Sequence, residues 1–248
     1  MSTDSQETQT ETKVLSLVSH KLKTPLSIIN GYSEAILSQA GKEKFSPFTA
    51  KALEEINKQG NKMSALVDKL LAFNKTDSMQ PKDLKLTEVR LKDLIKSCAN
   101  EAIAQDEDTI PPFSTENEGK RGTYIEIDCP DNLLVKADET LLKAVVEELL
   151  SNAIKFNNKM EKIIKVQCAN HGDNISVSVR DYGAGVRPQD VNRIFEPFYQ
   201  VDDYFTGQIS GWGLGLPLVK RVTELHGGAI SVVSDRGLGS IFTVTFPA

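Results

Sequence analysis

The chain has 248 residues, a net charge of -5, 40% apolar residues and 25% charged residues. This length suffices for two modest domains, and the composition is ordinary for a globular protein. The mildly acidic balance argues against a nucleic-acid-binding surface, and no apolar run is long enough to span a membrane. We therefore expect this chain in the cytoplasm, with its three cysteines as buried thiols.

Two helices are expected after a polar N-terminal tail at residues 1–13. Apolar residues recur at alternating spacings of three and four from Leu15 to Ile36 and again from Leu53 to Leu70, which is a heptad pattern. Two such helices joined by a short Gly- and Pro-containing connection form a hairpin with an exposed apolar stripe. We expect residues 14–76 to dimerise into a four-helix bundle; a hairpin packed on its own second domain is the alternative.

A second, α+β domain is expected at residues 84–248, after a polar linker at 77–83 that contains Pro81. Helices alternate there with mostly antiparallel strands, so the helices should cover one face of a sheet. Helices are predicted at about 91–104, 139–157, 188–195 and 214–226, and strands at 84–89, 124–128, 163–169, 174–180, 229–234 and 240–246. Residues 135–138 are expected to lead into the helix at 139–157, and residues 105–123 are expected to form a mobile loop.

Glu148 and Asn152 lie four residues apart on the polar side of the predicted helix 139–157. A carboxylate and an amide oxygen side by side can hold hydrated Mg²⁺, which needs few protein ligands. Lys155 is a candidate phosphate contact on the same helix. An ordinary exposed polar face is the alternative for all three residues.

Asp181 ends a predicted strand and is followed by Gly183 and Gly185. A carboxylate at this point could accept a hydrogen bond from the exocyclic amine of adenine, while glycines would let the base approach the backbone. The alternative is a strand-ending turn, in which Asp and Gly are common.

A second glycine cluster, Gly211, Gly213 and Gly215, directly precedes a predicted helix. Free backbone N–H groups at a helix N-terminus bind anions such as phosphate. The cluster lacks the Lys-Ser/Thr pair of a P-loop, so it is a different kind of phosphate site. Residues 199–210 lie between the two clusters and are predicted to form a lid over a bound nucleotide.

His20 occupies an outward-facing position of the first heptad pattern. Pro25 lacks the N–H that would bond the carbonyl of Lys21, so the helix should bend beside this histidine. Thr24, one turn away on the same face, could place a water near phosphorylated His20. An exposed imidazole on one domain and a nucleotide pocket on another indicate phosphoryl transfer onto histidine, although a surface histidine without a role is the commoner case.

Five segments together resemble the sequence boxes of the sensor histidine kinases of two-component systems. The resemblance covers residues 14–248, and five boxes in this order and spacing are specific. The segments are SHKLKTPL (19–26, H box), ELLSNAIKF (148–156, N box), DYGAGV (181–186, first glycine box), IFEPFYQ (194–200, F box) and GWGLGLPLVK (211–220, second glycine box).

The resemblance implies a dimerisation and histidine-phosphotransfer domain, followed by an α/β sandwich of the gyrase, heat-shock chaperone and histidine kinase type. It implies that His20 is the phosphoacceptor, that Asn152 binds Mg²⁺ and that Asp181 recognises adenine. Phe195 and Phe198 would pack against the lid. The ATP-binding residues implied in this way are Asn152, Lys155, Phe156, Asp181, Gly183, Gly185, Val186, Phe198, Tyr199, Gly211, Gly213, Leu214, Gly215 and Leu216.

The resemblance also implies a function: autophosphorylation on His20 by ATP and transfer of the phosphoryl group to an aspartate of a response regulator. Thr24 indicates an additional phosphatase activity toward that regulator. The implied partners are a second copy of the chain, the receiver domain of a response regulator, and a sensor input domain or partner protein outside this chain. Any membrane anchor would belong to a longer protein.

Two positions depart from the family pattern. Glu148 stands where many members have asparagine, and an acid there can still polarise a water or tune the metal. Lys21 stands where the family has an acid that takes the imidazole proton, and a charged lysine cannot serve as that base. The alternative function is therefore a phosphatase-biased or scaffold signalling module with weak autokinase activity.

Lys21→Glu separates the two functions. If the missing base limits phosphoryl transfer, the variant should incorporate label from γ-labelled ATP on the order of a hundredfold faster than the wild type, because general-base catalysis is worth about that much. If the autokinase is already efficient, the two rates should be similar. The measurement is the initial rate of acid-labile labelling of both proteins side by side.

Overall fold

The computed structural model describes residues 22, 26–36, 47–106, 122–201 and 212–248. The chain divides into two compact units, Met1–Ser78 and Met79–Ala248. His20, Thr24 and Gly211 lie outside the described residues, as do nearly all of the expected lid and of the loop at 105–123. No helix in the described ranges is both long and apolar enough to cross a membrane.

The first unit contains the two expected helices, α1 at residues 26–36 and α2 at Pro47–Ser78. The two helices touch at Asn30, whose Nδ2 donates to Oδ1 of Asn61 at 2.8 Å. Gly60 lies at the same contact, because a Cβ there would clash with the Asn30 amide. The small residue therefore lets the two helices approach closely at this level.

The heptad residues of α1 do not form its buried side within the chain. Leu26 and Ser33 are each 4% exposed, whereas Ile29 is 45% and Tyr32 is 70% exposed. The exposed large apolar residues of the two helices are Leu22, Ile28, Ile29, Tyr32, Ile36, Phe48, Ile56 and Met63. The predicted apolar stripe is therefore only partly exposed: Ile29, Tyr32, Ile56 and Met63 face solvent, whereas Gly60 and Val67 of the second heptad pattern are buried.

The second unit is built on two sheets. A five-stranded sheet contains, in spatial order, β2 (Gly122–Asp128), β4 (Glu161–Asn170), β5 (Asn174–Arg180), β7 (Gly239–Pro247) and β6 (Ala229–Asp235). In it β2 and β4 are parallel and the other neighbours are antiparallel. A small antiparallel sheet pairs β1 (Leu86–Arg90) with β3 (Leu134–Asp138). The elements in chain order are β1 Leu86–Arg90, α3 Leu91–Gln105, β2 Gly122–Asp128, β3 Leu134–Asp138, α4 Glu139–Lys155, β4 Glu161–Asn170, β5 Asn174–Arg180, α5 Gly215–Leu225, β6 Ala229–Asp235 and β7 Gly239–Pro247.

The core lies between the five-stranded sheet and the three helices of this unit. Burial alternates along β4, as expected for a strand with one covered face, and Ile164 and Val166 are its most buried residues. Helix α4 contacts β4 and β5 and packs between α3 and α5. All three cysteines are free and buried, and burial raises the pKa of the Cys98 thiol to about 11. The expectation of buried thiols is confirmed.

Two local predictions were wrong. Residues 134–138, expected only to lead into a helix, form β3, in which Val135 pairs with Val89 of β1. The predicted helix at 188–195 is a series of turns that ends in the short 3₁₀ segment Arg193–Phe195. Hydrogen bonds in this segment converge on Asp190, and Pro197 disfavours helical backbone at the residue before it.

His226 joins the end of α5 to the start of α4. The main-chain N–H of Asp138 donates to His226 Nε2 at 3.0 Å, so the neutral ring carries its proton on Nδ1 and donates it to the Val222 carbonyl at 2.8 Å. Gly227 follows with φ +74°, in the left-handed C′ position at which glycine commonly ends a helix. Asp138 in turn caps α4, accepting from the Leu141 N–H at 3.3 Å.

His226→Ala should destabilise the second unit by about 1–3 kcal/mol, because the Asp138 N–H and the Val222 carbonyl lose a part-buried partner. Thermal unfolding is the measurement, and the midpoint should fall by roughly 2–10 °C. His171→Ala is the matched control, since His171 is exposed in the β4–β5 turn and its side chain makes a hydrogen bond to Ser176 Oγ of β5 at 3.0 Å rather than joining two helices. Equal shifts for both variants would contradict this account of His226.

Candidate functional site

Glu148 and Asn152 lie one turn apart on α4 and point toward the start of α5. Both residues are half-buried, whereas Leu149 and Leu150 between them are buried in the core. A Cβ at Gly215, the first residue of α5, would clash with the Glu148 carboxylate and lie 3.7 Å from the Asn152 amide nitrogen. The two side chains proposed from the sequence as metal ligands therefore meet at one helix N-terminus.

This meeting point suits a phosphate with its counter-ion. The first N–H groups of α5 have no partner within the helix, and they carry the positive end of its dipole. In the described ranges no three His, Cys, Asp or Glu side chains converge on one point. A carboxylate and an amide fit Mg²⁺ nevertheless, because that ion keeps several waters and takes phosphate oxygens as further ligands.

Asp181 lies at the end of β5, 5% exposed. Its main-chain N–H donates to the Ser240 carbonyl at 2.9 Å, and its Oδ1 accepts from the Gly183 N–H at 2.8 Å. Burial raises the pKa of this carboxyl, and backbone hydrogen bonds from Gly183 and Ser240 act in the opposite direction. A buried acceptor held by the main chain is the type of group that can recognise one edge of a planar base.

The first glycine segment packs against the chain's own backbone. A Cβ at Gly183 would clash with the Phe156 carbonyl, which also accepts from the Ala184 N–H at 3.1 Å. Gly185 has φ +67°, and a Cβ there would clash with the Asp235 carbonyl. Glycine is therefore required here by close backbone packing, which differs from the expectation that it admits a base.

Three cationic side chains lie on aromatic rings beside this segment. The Lys155 ammonium is 4.6 Å from the centroid of the Phe156 ring, and Tyr182 has Arg180 at 4.8 Å and Lys159 at 5.7 Å. Only Lys155 was a candidate from the sequence. The other two lie on separate elements and share no motif, so their juxtaposition could not be derived from spacing.

The second glycine segment begins the N-terminus of α5. The Phe198 N–H donates to the Gly213 carbonyl at 2.9 Å, and a Cβ at Gly213 would lie 2.6 Å from the Tyr199 carbonyl oxygen. Leu214 is 2% exposed and precedes α5, and Leu216 in its first turn is half-buried. The F-box segment is thus held against the residues that precede the helix.

Val186 and Phe198 are the remaining residues that the sequence assigns to the site. Val186 lies beside the first glycine segment, its N–H donating to Ser234 Oγ at 2.8 Å. The Phe198 side chain is 62% exposed, and the lid against which it was expected to pack lies outside the described residues. Sequence reasoning missed Asp190, a buried acid bonded to Tyr199, because an aspartate in a turn is too common to stand out.

Gly183→Ala should destabilise the second unit by about 1–3 kcal/mol, because an added methyl would force the Phe156 carbonyl away. Gly122→Ala is the matched control, since a Cβ there would make ordinary contacts of 3.6–3.7 Å with the Tyr124 ring. Thermal unfolding of both variants is the measurement. A Gly183→Ala midpoint equal to that of Gly122→Ala would show that the backbone contact is unimportant.

Two family models match the chain. Residues 10–78 match the His Kinase A (phospho-acceptor) domain, and residues 137–248 match the Histidine kinase-, DNA gyrase B-, and HSP90-like ATPase. The structure is similar to the crystal structure of full-length ShkA in complex with AMPPNP, with a TM-score of 0.71 and 25% identity, over 95% of this chain and 45% of ShkA.

Curated relatives are similar over nearly the whole chain. The sensor-like histidine kinase SenX3 of Mycobacterium tuberculosis is 32% identical over 93% of this chain and 52% of its own length. Sensor histidine kinase YcbM of Bacillus subtilis is 30% identical over 96% of this chain and 71% of its own length. The chain spans about half the length of SenX3. With both matched domains in this order, the chain belongs to the sensor histidine kinase family.

Proposed function

We propose that this chain is an ATP-dependent protein-histidine kinase that autophosphorylates on His20 and passes the phosphoryl group to an aspartate of a response regulator. The observation that carries the proposal is the meeting of Glu148, Asn152 and Gly215 at the start of α5. It lies in an ATPase-type domain of a chain that also matches a phosphoacceptor domain. A domain of the ATPase type and a phosphoacceptor domain in one chain support autophosphorylation.

The proposed domains are a tail at 1–13, a dimerisation and phosphotransfer domain at 14–76, a linker at 77–83 and an ATP-binding domain at 84–248. The division into compact units between Ser78 and Met79 supports a boundary in this region. The phosphoacceptor family model ends at residue 78, which is also consistent with it.

In the proposed nucleotide complex, the phosphates lie at the N-terminus of α5, where unpaired N–H groups favour anions. Asn152 and Glu148 would hold Mg²⁺, which when bound neutralises phosphate charge. Asp181 would accept a hydrogen bond from the adenine amine, and Lys155 would contact a phosphate. The AMPPNP in the ShkA structure supports a nucleotide in this class of domain.

The proposed reaction is attack by an imidazole nitrogen of His20 on the γ-phosphorus of ATP. An N–P bond forms, the bond from phosphorus to the bridging oxygen breaks, and ADP leaves while the imidazole loses its proton. Positioning and charge neutralisation account for most of such catalysis. Lys21 cannot take the proton while charged, so solvent or another group must accept it.

The proposed assembly is a homodimer through residues 14–76. The exposed residues Ile29, Tyr32 and Ile36 of α1 and Ile56 and Met63 of α2 would be covered by a second copy. Burying each such side chain contributes roughly 1.5–3 kcal/mol, so a partner helix pair is strongly favoured. A four-helix bundle is the simplest structure that covers the stripe of both hairpins.

The proposed partners follow from the same reaction. A receiver domain would bind beside His20 to accept its phosphoryl group, and Thr24 would orient a water for the reverse, phosphatase activity. The input would come from a sensor domain or partner protein outside this chain. Because ATP and response regulators are cytoplasmic, this part of the protein should lie in the cytoplasm, and any membrane anchor in a longer protein.

The test is incubation of the chain with γ-labelled ATP and Mg²⁺. The wild type should gain acid-labile, base-stable label that moves to an added receiver domain, and His20→Gln should lose at least 99% of it. His171→Gln is the control and should label like the wild type, since His171 lies in the exposed β4–β5 turn. An unlabelled wild type, or label that persists in His20→Gln, would refute the assignment.

A further inference from the structure

Asp190 is a buried acid outside the proposed phosphate and adenine contacts. Its side chain is 3% exposed. The Tyr199 hydroxyl donates to Oδ1 at 2.7 Å, and Arg187 Nε donates to Oδ2 at 2.6 Å. The Tyr199 hydrogen bond, followed by that from Arg187, lowers the pKa of this carboxyl, with a smaller contribution from the charge of Arg193. Asp190 is therefore ionised at neutral pH, with both oxygens engaged.

The backbone beside Tyr199 is in an unfavourable conformation. Phe198 has φ +64°, and it is the one non-glycine residue with positive φ in the part of the chain that the structure describes. Such a conformation persists only when surrounding contacts hold it. The Tyr199 ring, in the next residue, is fixed by the hydrogen bond from its hydroxyl to Asp190 and by the Arg193 guanidinium, 4.2 Å from the ring centroid.

The turn at Phe198 is also the contact to the second glycine segment. Its N–H donates to the Gly213 carbonyl at 2.9 Å, and Gly213 has φ +66° with its Cα against the Phe198 and Tyr199 backbone. Two residues later, Gly215 lies against Glu148 and Asn152. A continuous series of direct contacts therefore leads from Asp190 to the start of α5.

We propose that Asp190 is a positioning residue for nucleotide binding: it holds Tyr199, and thereby the Phe198 turn, against Gly213 and the start of α5. The inference rests on the proposed binding of ATP phosphates at that helix. Asp190 itself is buried and fully hydrogen-bonded, so it acts through Tyr199 rather than by touching the nucleotide. Its loss should therefore weaken ATP binding and leave the rate at saturating ATP nearly unchanged.

The experiment compares Asp190→Ala, Tyr199→Phe and the double variant with the wild type. The dissociation constant for Mg²⁺ with a non-hydrolysable ATP analogue is measured by calorimetry, and the ATP dependence of His20 labelling is measured in parallel. Each single variant should raise the dissociation constant and the KM for ATP by about tenfold, with the saturating rate within about twofold. The dissociation constant of the double variant should not exceed the larger of the two single-variant values, because both changes remove the same interaction.

Two further variants separate positioning from general stability. Asp190→Asn keeps an oxygen for the Tyr199 hydroxyl and should bind the analogue more tightly than Asp190→Ala. His226→Ala removes a hydrogen-bonded side chain at the opposite end of α5 and should leave the dissociation constant within about twofold of the wild type. If Asp190→Ala fails to fold, Asp190→Asn and Tyr199→Phe together test the inference, because the first changes only the acceptor and the second removes only the hydroxyl that it holds.

Three results would overturn the inference. Asp190→Ala and Tyr199→Phe could lower the unfolding midpoint while binding the analogue like His226→Ala, which would make the network merely structural. Fully additive losses in the double variant would show that Asp190 does not act through Tyr199. A wild type that binds no analogue would refute the proposed ATP site itself, and this inference with it.

Discussion

The proposed nucleotide site depends on backbone-to-backbone packing at the first glycine segment. The Phe156 carbonyl at the end of α4 occupies the space where a Cβ of Gly183 would lie, and the Asp235 carbonyl at the end of β6 does the same at Gly185. At Gly239, which begins β7, the blocking atom is the Asp181 carbonyl oxygen. Main-chain atoms cannot rotate away as side chains can, so these contacts set the distance between α4, the end of β5 and the β6–β7 turn. Asp181 and the helix that carries Asn152 are thereby placed relative to each other before any ligand binds.

On the other side of the proposed site, the start of α5 is held by a different kind of contact. Here the start of α5 meets α4 through side chains, at Gly215 and Glu148, and meets the F-box segment through one main-chain hydrogen bond from Phe198 to Gly213. The next residue, Tyr199, donates its hydroxyl to Asp190. A segment held by side-chain hydrogen bonds moves at a lower cost in free energy than one held by close backbone packing. The proposed base side of the site is therefore fixed by the backbone, whereas the proposed phosphate side can respond to a ligand.

Much of this arrangement was accessible from the sequence, and the failures have physical causes. Strands β4 and β5 were predicted because apolar residues alternate along both, which is the pattern of a strand with one buried face. The strand at 134–138 was missed because it is short and ends at Asp138, whose side chain caps α4 and therefore indicates a helix start. The helix at 188–195 was wrong because hydrogen bonds to Asp190, formed within a turn, outweigh weak periodicity. The two glycine segments stand out in the sequence, but no local pattern shows that Gly183 and Gly185 pack against the carbonyls of Phe156 and Asp235, which lie in distant segments.

The two helices of the first unit illustrate what a heptad pattern leaves undetermined. The pattern identifies an apolar stripe, but not whether that stripe meets a helix of the same chain or of another. In this protein Asn30 makes the hydrogen bond to α2 and Leu26 and Ser33 are buried, while Ile29 and Tyr32 of the stripe remain exposed. Each helix of a four-helix bundle must bury a wide face against two neighbours, so a hairpin that covers only one side is half of such a bundle. The polar Asn30–Asn61 contact on the intrachain side, together with Gly60, favours a defined register between α1 and α2, and the exposed apolar residues form the surface that the proposed second copy would bury.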